Sequence, residues 1–394
     1  MTMAAAFDSR TAQAGHWSKA SRLAAVDIVT DLGQAEAVWR ELETRHPTHT
    51  PYQRFDFLAA WQRQVGAREG AAPCIAVAYD AERRPLALFP LASFRKYGVH
   101  VASFMGGKHA TFNMALWDRD FAAGACEADM AALMAGIAQH SNVDVLALYQ
   151  QPMTWRDVPN PLALLPHQPS ANDCPLLVME PGGHPSSLIS NSFRRRLKGK
   201  ERKLQPTPRT YIATEDADIT RVLDWFFRVK PLRMAEQKLP NVFADPGIEQ
   251  FIRAACLARL AGGGRAIDIH ALECDEEVIA IFAGVADGNR FSMMFNTYTM
   301  SANARYSPGL ILMRDIIDHY VSNGYRALDL GIGSDDYKRL FCKNDEPIFD
   351  SFIALTARGR MAAAAMSGFN RAKRMVKQNP ALFEMAQKLR GALR

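Results

Sequence analysis

Hydrophobic and polar positions follow the same order twice along this chain. In the first half, residues 74–79 alternate with the two-residue period of a strand. A charged turn over 80–84 leads to a second predicted strand over 86–94 and a third over 100–105. Residues 125–139 carry helical spacing, and 143–149 form a short β-rich run. In the second half, predicted strands cover 267–272 and 278–285 on either side of the turn 274–277. Asp287-Gly288-Asn289 then turns the chain into a strand over 290–297. A helix over 308–323 and a strand over 325–330 follow. In both halves antiparallel strands come first and a β-α-β crossover comes last. The expected fold class is therefore α/β, each half a mixed, mostly antiparallel sheet flanked by helices.

The second-half helix has the better marked beginning. Ser307 suits the N-cap, where its oxygen would accept a backbone N–H. Pro308 suits the first helical position, and Gly309 leaves the first turn bare of side chain. Leu310, Met313, Ile317 and Tyr320 recur at helical spacing, and Gly324 suits a left-handed stop. A bare helix N-terminus after a strand is a natural anion site. The first half has Gly106-Gly107-Lys108-His109 near the matching place, but residues 113–117 follow it rather than a capped helix. One working site is expected, in the second half, with the first half as scaffold and substrate wall.

At 394 residues the chain is long enough for two cores. The expected division is a disordered segment over 1–22, a degenerate first domain over 23–175, a working second domain over 176–356 and a basic helical tail over 357–394. A proline-rich stretch over 151–185 joins the halves. The tail reads as a solvated helix pair, or as a helix for a membrane surface or a partner. A net charge of +6 mildly favours anionic ligands, although ordinary surface charge accounts for it as well. The six cysteines show no CxxC pair and no zinc spacing, so no metal is expected. They read as buried thiols of a reducing compartment. Residues 1–25 lack the apolar core of a signal peptide, and no apolar run is long enough to span a bilayer. A cytoplasmic location is the expectation. Walker loop, HExxH and GxSxG are all missing. His184, His270 and His319 stand isolated and read as structural or surface histidines. Residues 193–204 form a basic amphipathic helix, either simply solvated or bound to a polyanion. Its sparse aromatics do not indicate an RNA-stacking surface, and nothing indicates DNA.

The order strand, strand, strand, pyrophosphate-type helix start, strand resembles the GNAT acyltransferases. The closer resemblance is to the CelD/BcsL-like acetyltransferase family, linked with cellulose and exopolysaccharide synthesis. It is carried by Phe193-Arg194-Arg195-Arg196-Leu197 with Glu201-Arg202-Lys203-Leu204, and by the strand over 278–284. Tyr306-Ser307-Pro308-Gly309-Leu310-Ile311-Leu312 carries it further, as do Leu328-Asp329-Leu330-Gly331, Gly333, Asp336-Tyr337-Lys338 and Phe341. In the first half, residues 55–61 and 86–91 match as well. The tandem layout is also similar to the Fem-like aminoacyltransferases, which use charged tRNA. One departure stands out: the loop from Asn303 to Gly309 has a single glycine where many superfamily members carry several.

The resemblance implies transfer of an acetyl or acyl group from acyl-CoA to an amine by direct attack. No permanently bound cofactor is implied, and the acceptor is an amino sugar or another envelope precursor. Backbone amides of Gly309, Leu310 and Ile311, with Ser307, would hold the donor's pyrophosphate. Arg305 would neutralise a phosphate, or is a surface arginine. Asp329 would take the amine's proton or orient the acceptor, or it pairs with a lysine or arginine. Tyr337 would protonate the leaving thiolate, or packs half-buried. Lys338 would bind phosphate or pair with Asp329, and Ser334 or Asp335 would cap its helix. The alternatives are a tRNA-dependent transferase and a non-catalytic binding protein with the same fold.

Overall fold

The computed structural model describes residues 20–45, 47–96, 98–180, 182–333, 337–379, 381–382 and 385. It has two α/β halves, each of mixed sheets flanked by helices. The first contributes β1 (Ala25–Val29), β2 (Ile75–Tyr79), β3 (Pro85–Phe89), β4 (Leu91–Lys96), β5 (Val99–Phe104), β6 (Leu116–Asp118) and β7 (Val145–Pro152). Its principal helices are α1 (Leu32–Thr44), α2 (Phe55–Trp61) and α3 (Glu127–His140). The single strand expected over 86–94 is two strands. Pro90 has no N–H to give a ladder, and there the chain passes from the sheet of β1, β2, β3 and β6 to that of β4, β5 and β7.

The second half contributes β8 (Cys174–Val178), β9 (Arg209–Ala213), β10 (Asp268–Cys274), β11 (Glu277–Ala286), β12 (Arg290–Tyr298), β13 (Ala327–Asp329) and β14 (Asn344–Glu346). They form one sheet in the order β9-β10-β11-β12-β13-β8-β14. Around it lie α4 (Asn191–Glu201), α5 (Asp216–Glu236), α6 (Ile248–Leu257) and α7 (Pro308–Ser322). Residues 278–285 of β11 are buried throughout, because helices cover both sheet faces. One face packs on Ile311, Leu312 and Ile316 of α7. The other joins α5 and α6 in a core that runs on into the first half, where Phe57 meets Phe251 edge to face at 5.3 Å.

The halves exchange strands. β8 follows the first half in sequence but pairs with β13 of the second, Leu176 opposite Asp329 and Val178 opposite Ala327. Strand β15 (Ile348–Ala354) leaves the second half and pairs antiparallel with β7 of the first. Helix α8 (Ala357–Gln378) follows it onto that sheet. The structure thus docks the first part of the basic tail rather than leaving it fully solvated. Its buried face includes Gly359, Ala363 and Asn370, while Met361, Phe369 and Met375 stay exposed. Most residues beyond 379 lie outside those described.

Gly359 makes that docking possible: a Cβ there would lie 1.9 Å from the Asp144 carbonyl oxygen. Gly359→Ala should therefore cost about 1–3 kcal/mol in urea unfolding. Gly368→Ala, which meets nothing within 4 Å, should be neutral or stabilising by up to about 1 kcal/mol. Equal effects of the two would refute this account of the contact.

Candidate active site

Strands β12 and β13 run parallel for only three pairs, from Arg290–Ala327 to Ser292–Asp329. There β13 ends, while β12 continues to Tyr298 beside β11. Opposite Ala283 and Gly284 the register shifts, leaving Met294 as an extra residue in β12. The parting opens a cleft of about 880 Å³. Met293 to Tyr298 form one wall, the start of α7 a second, and Tyr337 and Lys338 a third. Lys108, His109 and Thr111 of the first half close it.

The start of α7 differs from the expected cap. Ser307 is left-handed, with φ 58°, and its side chain caps nothing. Instead its carbonyl oxygen accepts from Leu310 N–H at 3.0 Å and Ile311 N–H at 3.2 Å. Those two amides are spent inside the helix, and Ile311 is fully buried. Gly309 N–H has no hydrogen-bond partner among the described residues. Ser307 Oγ accepts from Lys200 Nζ at 2.7 Å. This puts an ammonium at the positive end of a helix dipole, an arrangement that an anion would relieve. Helix α4 is clamped there by two arginine–carboxylate forks. Arg194 donates to Asp318, and Arg314 to Glu201 at 2.9 and 3.0 Å. Ahead of the helix, Glu277 ties down the approaching loop by accepting from Thr299, Ser301 and Asn303. Arg305 lies outside the cleft lining, exposed and stacked on Tyr306 at 4.8 Å.

Tyr337 reaches the cleft, its Oη accepting from Asn296 Nδ2 at 3.3 Å. Lys338 is almost wholly buried, and its Nζ donates to the carbonyls of Gly331 and Ile332 at 3.2 and 3.0 Å. It braces the turn after β13. The candidate cap, Ser334 or Asp335, lies outside the described residues, as does Asp336. Asp329 is fully buried and is not part of the cleft lining. It accepts from Arg290 Nε at 2.8 Å, from Ser292 Oγ and from Gly331 N–H at 3.0 Å. Arg290 also reaches Glu346 at 2.7 Å and stacks on Phe112 and Trp155. Burial opposes that guanidinium's charge, but Asp329 and Glu346 more than offset it. Of the roles open to Asp329, the geometry supplies pairing. Asp329→Ala should cost about 3–5 kcal/mol in chemical denaturation, since it takes from a buried cation one of its two carboxylate partners. A loss below about 1 kcal/mol would contradict this.

The cleft holds cations that the sequence did not flag. Lys230 Nζ donates to the Asn296 carbonyl at 2.9 Å. The Arg233 guanidinium lies 3.5 Å from the Tyr298 ring centre, with Glu236 at 3.9 Å. No carboxylate is found among the described residues that line the cleft. His109 Nδ1 accepts from Trp61 Nε1 at 3.2 Å, so the neutral ring carries its proton on Nε2 and offers a donor there.

Burial pushes His109 down to about 4 and the buried His270, bonded to Tyr320, down to about 3. The unfolded chain takes up these protons near pH 6.5, before the folded chain does. Their contribution to stability is therefore full above about pH 6.5 and is lost as pH drops toward 4. Asp268 and Glu43, which burial pushes up to about 6 and about 7, make an opposing contribution. Thermal midpoints across that range check this. A slope left unchanged by His270→Gln would rule out His270 as a source.

Residues 191–339 match the family model of the acetyltransferase (GNAT) domain. That span runs from α4 through the start of α7 to Tyr337, Lys338 and Arg339, and so contains the helix start and most of the cleft. Domains of this family generally take an acyl-CoA donor and an amine acceptor. No curated protein matches the chain. Among solved structures it is similar to the C-terminal domain of a putative lysylphosphatidylglycerol synthetase from Agrobacterium fabrum. The two share 11% identity over 87% of this chain and 97% of that one, with a TM-score of 0.51. L-PGS from Bacillus licheniformis gives 11% identity, 86% and 97% coverage and a TM-score of 0.50. FemX gives 9% identity, 77% and 96% coverage and a TM-score of 0.50. At such identities the likeness is one of fold. Among the described residues, no group of three or more His, Cys, Asp or Glu is placed to hold a metal. No described helix is long and apolar enough to cross a membrane.

Proposed function

We infer that the GNAT domain of this chain transfers an acyl group from acyl-CoA to an amine. The observation that carries the reading is the meeting of three groups in one cleft: the Gly309 N–H, the open edge of β12 and the Tyr337 hydroxyl. The donor's pyrophosphate binds Gly309 N–H, with Ser307 Oγ and Lys200 Nζ beside it. The pantetheine arm lies along the edge of β12 away from β11, which beyond Ser292 no strand of the described residues covers. Lys230 and Arg233 disfavour a second cation in the cleft, so the acceptor enters as a neutral amine. Its nitrogen attacks the thioester carbon, the C–S bond breaks, Tyr337 gives its proton to the departing thiolate, and the resulting phenolate takes up the proton that the acylated nitrogen releases. Asp329, Arg290 and Lys338 act indirectly, fixing the turn that presents Tyr337. The likeness to the CelD/BcsL-like proteins supports an amino sugar or another envelope precursor as acceptor.

Calorimetry tests the donor. The expected result is one acetyl-CoA site per chain with micromolar affinity, and none for charged tRNA. One observation favours the tRNA-dependent reading: Arg195, Arg196 and Lys198 are exposed on α4, the helix that packs against α7. Strongly salt-dependent binding of charged tRNA, with none of acetyl-CoA, would establish it instead.

A further inference from the structure

The parting of parallel strands recurs in the first half. β5 and β7 pair only at Val101–Val145 and Ala102–Leu146. Beyond them lies a second cleft of about 450 Å³, within the range of small-molecule sites, about 300–1,000 Å³. Its walls are aromatic: Trp61, Phe94, Phe104 and Tyr149, the last 38% exposed. Asn113 and Asp350 add polar groups to them. Asn113 Nδ2 donates to the Tyr149 carbonyl at 3.2 Å, while its buried Oδ1 has no partner. A buried acceptor left unpaired asks for a donor from outside the chain. Gln150, also in the cleft lining, holds a left-handed backbone at φ 58°. Such strain in a residue other than glycine costs about 1–3 kcal/mol and gathers at binding sites. What fixes Gln150 is Asp350 of the exchanged strand β15, which accepts from its N–H at 2.7 Å, from Ser170, and from Asn370 of α8 at 2.6 Å. The second half thus lends residues of its last strand and helix to the wall of this cleft.

The geometry points to a saccharide site in the first half: a pyranose ring laid against Tyr149, with ring hydroxyls donating to Asn113 and to neighbouring acceptors. Flat aromatic faces fit the C–H faces of a sugar, and oxygen acceptors fit its hydroxyl hydrogens. Charge in the lining is mixed, with Glu69 and Asp350 alongside Lys108 and Lys373, which suits a neutral ligand better than an ion. Lys108 lines this cleft and the working one, and the Trp61–His109 hydrogen bond closes the wall between them. The sugar site does not rest on the acyl-transfer reading.

The test is titration calorimetry of the full chain, without acyl-CoA, against cellotriose, maltotriose and triacetylchitotriose, with tetramethylammonium as the cationic control. At least one trisaccharide should bind with millimolar or better affinity, and tetramethylammonium should not. Tyr149→Ala should weaken that binding at least tenfold while the thermal midpoint and acetyl-CoA affinity stay unchanged. Trisaccharide binding with acetyl-CoA binding lost would leave the sugar site standing and remove the transferase reading. Silence with all three sugars, equal binding by Tyr149→Ala, or binding of tetramethylammonium instead would overturn the proposal.

Discussion

Gly309→Glu should abolish acetyl-CoA binding, lowering affinity at least about a hundredfold, or about 2.7 kcal/mol, and leave the fold intact. The position accepts a side chain: a Cβ would meet only Tyr298 at 3.7 and 3.9 Å and Phe282 at 4.0 Å, ordinary contact distances. A carboxylate in the first turn also interacts favourably with the helix dipole, by about 0.3–1 kcal/mol. The variant should therefore melt at the wild-type temperature or slightly above it. Its carboxylate would occupy the position proposed for phosphate, beside Lys200, and would repel the donor there. Gly309→Ala adds bulk without charge and should keep affinity within tenfold. Calorimetry and thermal melting on the three proteins decide the matter. Wild-type affinity in Gly309→Glu would move the phosphate site elsewhere.

Tyr337→Phe should lower kcat by about 10²–10⁴-fold, the range for losing a positioned proton donor, with little change in KM for acyl-CoA. The hydroxyl accepts from Asn296 Nδ2, which turns its own proton away from that amide. The phenyl ring of the variant keeps the packing and loses only the proton. Donors whose thiols are more acidic leave without that help, so the defect should shrink with them. Steady-state kinetics with acetyl-CoA and with an activated aryl thioester measure both quantities. A loss below about threefold, or one equal for the two donors, would remove Tyr337 from the role of acid.

Much of the architecture was legible because hydrophobic period reports local structure. The strand–strand–strand–helix–strand order of the second half and the start of α7 at Pro308 follow from it directly. The break at Pro90 was legible too, had the missing N–H outweighed the apolar run around it. The site was only half legible. Ser307, Gly309, Leu310, Tyr337 and Lys338 do converge on one cleft. What decides their roles lies far away in the chain: Lys200 meets Ser307 across 107 residues, and Arg194 meets Asp318 across 124. No periodicity encodes such pairings. The same holds for Lys230 and Arg233, which look like two surface cations on a helix until β12 passes beneath them.

The strand exchange bears on how the chain comes off the ribosome. β7 ends at Pro152, and the strand that covers its edge ends at Ala354. The ribosome must add about 200 residues between them, which takes on the order of 10–40 s at the usual pace of synthesis. Throughout that interval the nascent first half presents a row of unpaired backbone groups flanked by apolar side chains, the kind of edge on which chains aggregate. Yield of soluble protein should thus depend on holdase chaperones during translation, whereas the finished molecule, with that edge covered, should no longer need them.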